Sequence, residues 1–175
     1  MRGMCVVTSG MCGLWDSTHF PMVYDEESWY DTLGDDSEVV RHTVGGYFVP
    51  VRLNTPGVFE YEVRLGSAAE PADLTERERG LLAVSSRKYL FRSSGGLCFG
   101  DYRHLEAVAS DKVGYMELAA GEYVAQIHIL AWNDEPGAVD ERGHRNEGTL
   151  PDLLIVLNPA SLDFRAPGSL QTFTR

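Results

Sequence analysis

The sequence predicts a mainly β protein, an antiparallel β-sandwich with one or two short helices, and three observations lead there. Apolar and polar residues alternate with period two through most of the chain, clusters of Gly, Pro, Asn and Ser punctuate the alternating runs, and helical signals are scarce. The length of 175 residues suits one domain, placed at 1–160, with a C-terminal tail at 161–175 that Leu162, Phe164, Leu170 and Phe173 could dock.

Near the start, 5–8 and 13–16 read as a pair of short strands with Gly10 between them. Segment 47–53 (YFVPVRL) is apolar and β-rich, and in 59–65 Phe59, Tyr61, Val63 and Leu65 oppose Glu60, Glu62 and Arg64, as in a half-buried strand. Asn54-Thr55-Pro56-Gly57 is turn chemistry, so these two arms are expected to form a hairpin, with Pro50 favouring an edge or bulge. A second hairpin is expected between 88–92 and 97–100 around Ser93-Ser94-Gly95-Gly96, and a third between 114–118 and 122–132 across Ala119-Ala120-Gly121. In the long arm of the third, Tyr123, Ala125, Ile127, Ile129 and Ala131 share one face, while Val124, Gln126, His128, Leu130 and Trp132 share the other. The run Leu153-Leu154-Ile155-Val156-Leu157, bounded by Pro151 and Pro159, reads as a buried strand.

The clearest helix signal covers 74–84, where Thr75 and Glu78 form a capping-box pattern at its start. A second covers 25–33, whose leading acids suit the positive end of a helix dipole. Segment 133–150 has no periodicity and exceeds ordinary connections, so it is either disordered or a binding loop.

Composition narrows the function classes. With 43 % hydrophobic and 23 % charged residues the chain is globular rather than disordered. A net charge of −11 argues against direct binding of nucleic acid, whose phosphates need Lys and Arg, and favours basic protein partners. Three cysteines, Cys5, Cys12 and Cys98, are an odd number at no metal-ligand spacing, which fits a reducing cytoplasm better than a secreted disulfide scaffold. The first thirteen residues are too polar for a signal-peptide core, and no run of about 18 apolar residues suggests a membrane span.

The densest functional signal lies between Tyr24 and Glu38. Seven carboxylates (Asp25, Glu26, Glu27, Asp31, Asp35, Asp36 and Glu38) occur there with no Lys or Arg, interleaved with Trp29, Tyr30 and Leu33. Such a stretch is either a solvated acidic segment whose aromatics tuck into the core, or an interface. In an interface, Trp29 and Tyr30 supply contact area while the carboxylates supply field and specificity.

Catalytic and metal motifs are not recognisable. His19, His42, His104, His128 and His144 are scattered without metal-ligand spacing, so neither metal nor cofactor is assigned. Ser9 and Cys98 lack the context of a nucleophile elbow, and the Gly45-Gly46 and Gly95-Gly96 pairs lack a phosphate-binding helix start.

The order of landmarks resembles a bacterial family known only as a domain of unknown function. The pieces that carry the resemblance are VTSGMCGLWDSTHF followed by acids and Trp29-Tyr30, FEYEVRLG, LTERERGLL, KYLF with SSGGLCFGD, MELAAGEYVAQIHILAW and LPDLLIVLNP. The strand ending in Arg52-Leu53-Asn54, its following arm, and LAAGEY before an alternating strand look more distantly like the competence protein J type of nuclease inhibitor. This chain departs from that type in the acidic segment and in 133–150. The likeness implies a small β-rich protein that neutralises a nuclease, and it transfers no individual residue.

Two functional readings follow. In the first, the protein is a cytoplasmic inhibitor or immunity-type protein that masks a basic nuclease or toxin through Asp25, Glu26, Glu27, Trp29, Tyr30, Asp31, Asp35 and Asp36. In the second, it is an enzyme or small-ligand binder with a pocket near Asp101, His104 and the 133–150 loop, using Trp132 or His144.

Overall fold

The computed structural model describes residues 1–23, 25–53, 55–105, 112–161, 164 and 172–173. Tyr24, Asn54, Leu162 and Leu170, together with the side chains of Glu26 and Phe173, lie outside the described residues.

Two sheets face each other. The first contains β1 (Arg2–Val7), β4 (Gly57–Leu65), β10 (Leu153–Pro159) and β9 (Gly121–Leu130) in that order, with β5 (Leu82–Ser85) and β6 (Tyr89–Ser93) both paired along the far edge of β9. The second runs β11 (Thr172–Phe173), β3 (Phe48–Leu53), β2 (Met11–Trp15), β7 (Gly96–Asp101) and β8 (Val113–Glu117). Pairing is antiparallel except for β4 with β10 and β3 with β11. The expected sandwich is therefore the architecture found.

Alternation sets the core. Tyr61 and Val63 of β4, Ala125, Ile127 and Ile129 of β9, and Leu153, Ile155 and Leu157 of β10 face Leu14, Val49, Val51, Leu97 and Phe99 of the other sheet. Each side chain of this size buried from water contributes about 1.5–3 kcal/mol. The outer faces are covered separately. Helix α1 (Glu26–Leu33) and α2 (Asp36–Gly45) bury Trp29, Leu33 and Val39 against Trp15, Phe48 and Cys98 on the five-stranded sheet. On the six-stranded sheet, Leu74, Leu81, Trp132 and Leu150 cover Leu130, Leu154 and Val156.

The expected hairpins are corrected. The arms 47–53 and 59–65 belong to opposite sheets, because β3 pairs with β2 while β4 pairs with β1 and β10. The same holds for β6 and β7, for β8 and β9, and for β1 and β2, so each of these short turns carries the chain across the core. Alternation reports which face is buried, and sheets about 10 Å apart can be bridged by much the same turn residues as strands about 4.8 Å apart. Same-sheet antiparallel neighbours are joined by the longer insertions: β2 to β3 through α1 and α2, β7 to β8 through a 3-10 turn at Tyr102–His104, and β9 to β10 through 131–152.

The helices also differ from expectation. The Thr75 capping box is present, with Thr75 N–H donating to Glu78 Oε2 at 2.6 Å, but α3 spans only Glu76–Gly80 and the chain is extended again from Leu82. Helix α2 is additional to the two segments read from sequence. It ends at Gly46 in the left-handed region (φ 79°), where the N–H donates back to His42 O and Thr43 O, a position that favours glycine. Segment 133–150 is tied to itself, with Val139 bridging Arg145 and Asn146 N–H donating to Ala138 O at 2.9 Å. No helix among the described residues is long and apolar enough to cross a membrane.

Candidate functional site

The acidic segment becomes the helical layer over the five-stranded sheet, and its carboxylates divide by role. Asp25 caps α1, its Oδ1 accepting from Ser28 N at 2.9 Å and Ser28 Oγ at 2.7 Å, while Ser28 Oγ accepts from Asp25 N at 3.1 Å. Asp35 caps α2 in the same manner, accepting from Ser37 N at 2.7 Å, Ser37 Oγ at 2.6 Å and Glu38 N at 3.0 Å. Helix starts leave free N–H groups and a partial positive charge, so both aspartates stabilise local structure before any partner is considered. These hydrogen bonds hold both carboxyls below their ordinary pKa.

Asp36 and Glu38 have cations. Asp36 accepts from Arg52 on β3, which lowers its pKa, and Glu38 pairs with Arg41 one turn on at 2.5 Å. A segment without Lys or Arg in its own sequence is thus partly balanced by neighbours that folding brings in.

The aromatics separate too. Trp29 is buried, donates from Nε1 to Tyr102 O at 2.9 Å, and meets the Tyr102 ring edge-on at 4.7 Å. Its ring packs in the core beneath the helical layer and does not stand out from the surface. Tyr30, next to it, is 57 % exposed.

What remains is one face of α1. Glu27, Tyr30 and Asp31 are exposed and stand at i, i+3 and i+4, so they form a single outward patch. Neither Glu27 nor Asp31 has an ion-pair partner among the described residues. Asp31 also lines a shallow depression with His19, Met22, Thr32, Arg41 and His42. Burial holds the His42 imidazole below the ordinary histidine pKa, helped by Arg41 beside it.

The residues of the ligand-pocket reading have other roles. Asp101 is buried, and its carboxylate accepts from Thr8 N at 2.6 Å, Thr8 Oγ1 at 2.9 Å, Ser9 Oγ at 3.2 Å and Arg103 N at 3.0 Å, pinning the turn between β1 and β2. Burial raises its pKa, yet these donors outweigh burial and leave it lowered. His104 lines a shallow groove with Met4, Val6, Thr8 and Lys112. Trp132 donates to Asp152 Oδ1 at 2.7 Å and lies under the Arg145 guanidinium at 4.0 Å, and His144 is exposed, 3.4 Å from Asp140. The described groups do not gather three or more His, Cys, Asp or Glu side chains as a metal site would.

Sequence reasoning found the acidic layer but could not distinguish caps from free acids. One signal was available: Asp35 followed by Ser37 and Glu38 has the form of a helix start, as Asp25 followed by Ser28 does.

No protein-family model matches the chain, and no curated protein matches it. Among solved structures it is similar to one described as crocagin biosynthetic gene J, at 13 % identity and a TM-score of 0.58, covering 92 % of this chain and 99 % of that one. It is also similar to ComJ, inhibitor of the DNA degrading activity of NucA, from Bacillus subtilis, at 8 % identity and a TM-score of 0.52, covering 91 % and 96 %. At these identities the likeness is one of fold, and it runs over nearly the whole of each chain.

Proposed function

We propose that this protein is an inhibitor or immunity-type protein that masks a basic partner, a nuclease or a toxin of that chemistry, in the cytoplasm. The observation that carries the reading is the outward face of α1, where Glu27 and Asp31 flank the exposed Tyr30 without an ion-pair partner among the described residues. A surface that binds phosphodiesters must attract negative charge, so carboxylates on a preformed helix compete for it by presenting the same sign of charge. Tyr30 adds rigid contact area at small entropic cost, and the net charge of −11 speeds encounter with a cationic surface. The fold shared with an inhibitor of a DNA-degrading activity supports the same reading. Buried free thiols at Cys5, Cys12 and Cys98 agree with a reducing compartment.

The test is to co-purify the tagged chain from its native cell, identify the retained protein, and assay that protein's DNA-degrading or toxic activity with and without the chain. A basic partner whose activity falls on adding the wild-type chain, and falls less with the Glu27→Gln, Tyr30→Ala, Asp31→Asn variant, is the expected result. An acidic partner, or equal inhibition by the variant, overturns the reading.

A further inference from the structure

On the other side of the sandwich, over the β9–β10 pair, a cavity of about 340 Å³ opens. That volume is at the small end of the roughly 300–1,000 Å³ typical of ligand pockets. Gln126 and His128 of β9 and Val156 of β10 form its floor, with Val124 beside them, and Lys88 and Phe164 stand at its rim. The register places Gln126 opposite Val156 and His128 opposite Leu154, so polar and apolar groups share the floor.

The hydrogen-bond inventory of this cavity is uneven. Asn158 is fully engaged with Ala72, accepting from its N–H at 2.7 Å and donating to its carbonyl at 3.0 Å. The Asp73 carboxylate accepts from Leu74 N at 2.7 Å and from Arg79 Nη2 at 2.6 Å, so its charge is already met. Gln126 uses its amide N–H on Ser86 O at 2.9 Å, and His128 Nδ1 is 2.8 Å from Ser85 Oγ. His128 Nε2 and the Lys88 ammonium are left as donors for an occupant, beside the Gln126 amide oxygen and the Ser161 hydroxyl.

Most of the described arginines are already held by carboxylates. Arg2, Arg41, Arg52, Arg64, Arg77, Arg79, Arg92 and Arg145 each pair with a carboxylate. Lys88 lines the cavity with no such partner among the described residues. When the Ser85 hydroxyl donates to Nδ1, the neutral imidazole carries its proton on Nε2 and becomes a second donor beside the ammonium.

We propose that this cavity binds a small monocarboxylate with an apolar body, Lys88 and His128 Nε2 donating to the carboxylate while Val124, Val156 and Phe164 enclose the body. One ammonium and one imidazole N–H match the two oxygens of a carboxylate, and there is no arginine fork of the kind that favours phosphate. The site is independent of the α1 face and of the inhibitor reading.

The test uses the full chain labelled with nitrogen-15, titrated with benzoate, phenyl phosphate and benzylamine while the His128 ring nitrogens and the Lys88 and Gln126 amides are followed by NMR. Benzoate is expected to shift these resonances saturably and more tightly than phenyl phosphate, and benzylamine to leave them in place. Lys88→Met, at an exposed position, should keep the amide spectrum of the fold and weaken benzoate about tenfold or more, the loss of one charge-assisted hydrogen bond. The Glu27→Gln, Asp31→Asn variant should bind benzoate as wild type does. Unsaturable or absent benzoate shifts, tighter binding of phenyl phosphate, an equal response to benzylamine, or wild-type benzoate affinity in Lys88→Met would each overturn the proposal.

Discussion

The two outer layers of the sandwich use the same residue types for different ends. Over the six-stranded sheet the acids that pack against the layer are answered by arginines: Glu78 by Arg64 at 2.7 Å, Asp73 by Arg79 at 2.6 Å, Glu135 by Arg77 at 2.6 Å and Asp152 by Arg145 at 3.0 Å. Over the five-stranded sheet, Asp25 and Asp35 cap helices, Asp36 and Glu38 find arginines, and Glu27 and Asp31 face outward without one among the described residues. The difference teaches that net charge and a cation-free stretch do not locate available charge. Folding assigns some acids to helix starts and some to distant arginines, and only the remainder can act on a partner.

The largest effect separates Trp29 from its neighbour Tyr30. Trp29→Ala should lower unfolding free energy by about 4 kcal/mol in a urea titration, the usual scale for deleting a buried aromatic. Tyr30→Ala should leave the midpoint close to wild type, because the ring is 57 % exposed. A stable Trp29→Ala protein would return this residue to the surface and break the contrast.

Next comes the acid most deeply used by the other layer. The Glu78 side chain is 4 % exposed, and Glu78→Ala should cost about 3 kcal/mol by leaving Arg64 with Glu62 as its one carboxylate partner among the described residues. Burial pushes the Glu78 carboxyl up, but Arg64 and Thr75 outweigh it and hold it at about 2, against an ordinary 4.5. A folded pKa below the unfolded one means that this contribution is fully present above about pH 4.5 and is lost as pH falls toward 2. Chemical denaturation across that window should show a smaller loss in Glu78→Ala than in wild type, the remainder coming from the other carboxyls that folding holds low.

A smaller effect tests the caps. Asp35→Ala should reduce helical circular dichroism and lower the melting temperature less than Glu78→Ala does, because its Oδ1 serves the start of one exposed helix. Smallest of all, Glu27→Gln with Asp31→Asn should leave stability within about 0.5 kcal/mol of wild type, as expected for surface changes that break no contact. A marked loss of stability there would show these acids to be structural as well.

Legibility followed the range of the interactions. Strand positions are readable because alternation in β4 and β9 and the continuous apolar run of β10 are local patterns, and α1 is readable from Asp25 and the acids after it. Strand partners are not, because the turns at Ser94-Gly95 and Leu118-Ala119-Ala120 carry the same residues whether they close a hairpin or cross the core. Helix α2 gives little sequence signal because it buries only Val39 and Thr43 and is rich in β-branched residues, which weakens the apolar periodicity. The helix expected over 74–84 stops at Gly80, because the apolar run Leu81-Leu82-Ala83-Val84 that suggests its continuation belongs to the approach to β5 and to β5 itself. At the candidate site the charges were visible and their partners were not. Arg52 reaches Asp36 from a strand sixteen residues away, and no local pattern foretells that pairing.

The central claim is that the Glu27–Tyr30–Asp31 face meets a cationic protein surface. Its most direct test is the association rate with the co-purified partner, measured over a range of ionic strength for wild type and for the Glu27→Gln, Asp31→Asn variant. The account predicts a wild-type rate that falls as salt rises, and a variant that associates more slowly at low salt with a shallower slope. Rates that coincide at every salt concentration would contradict it.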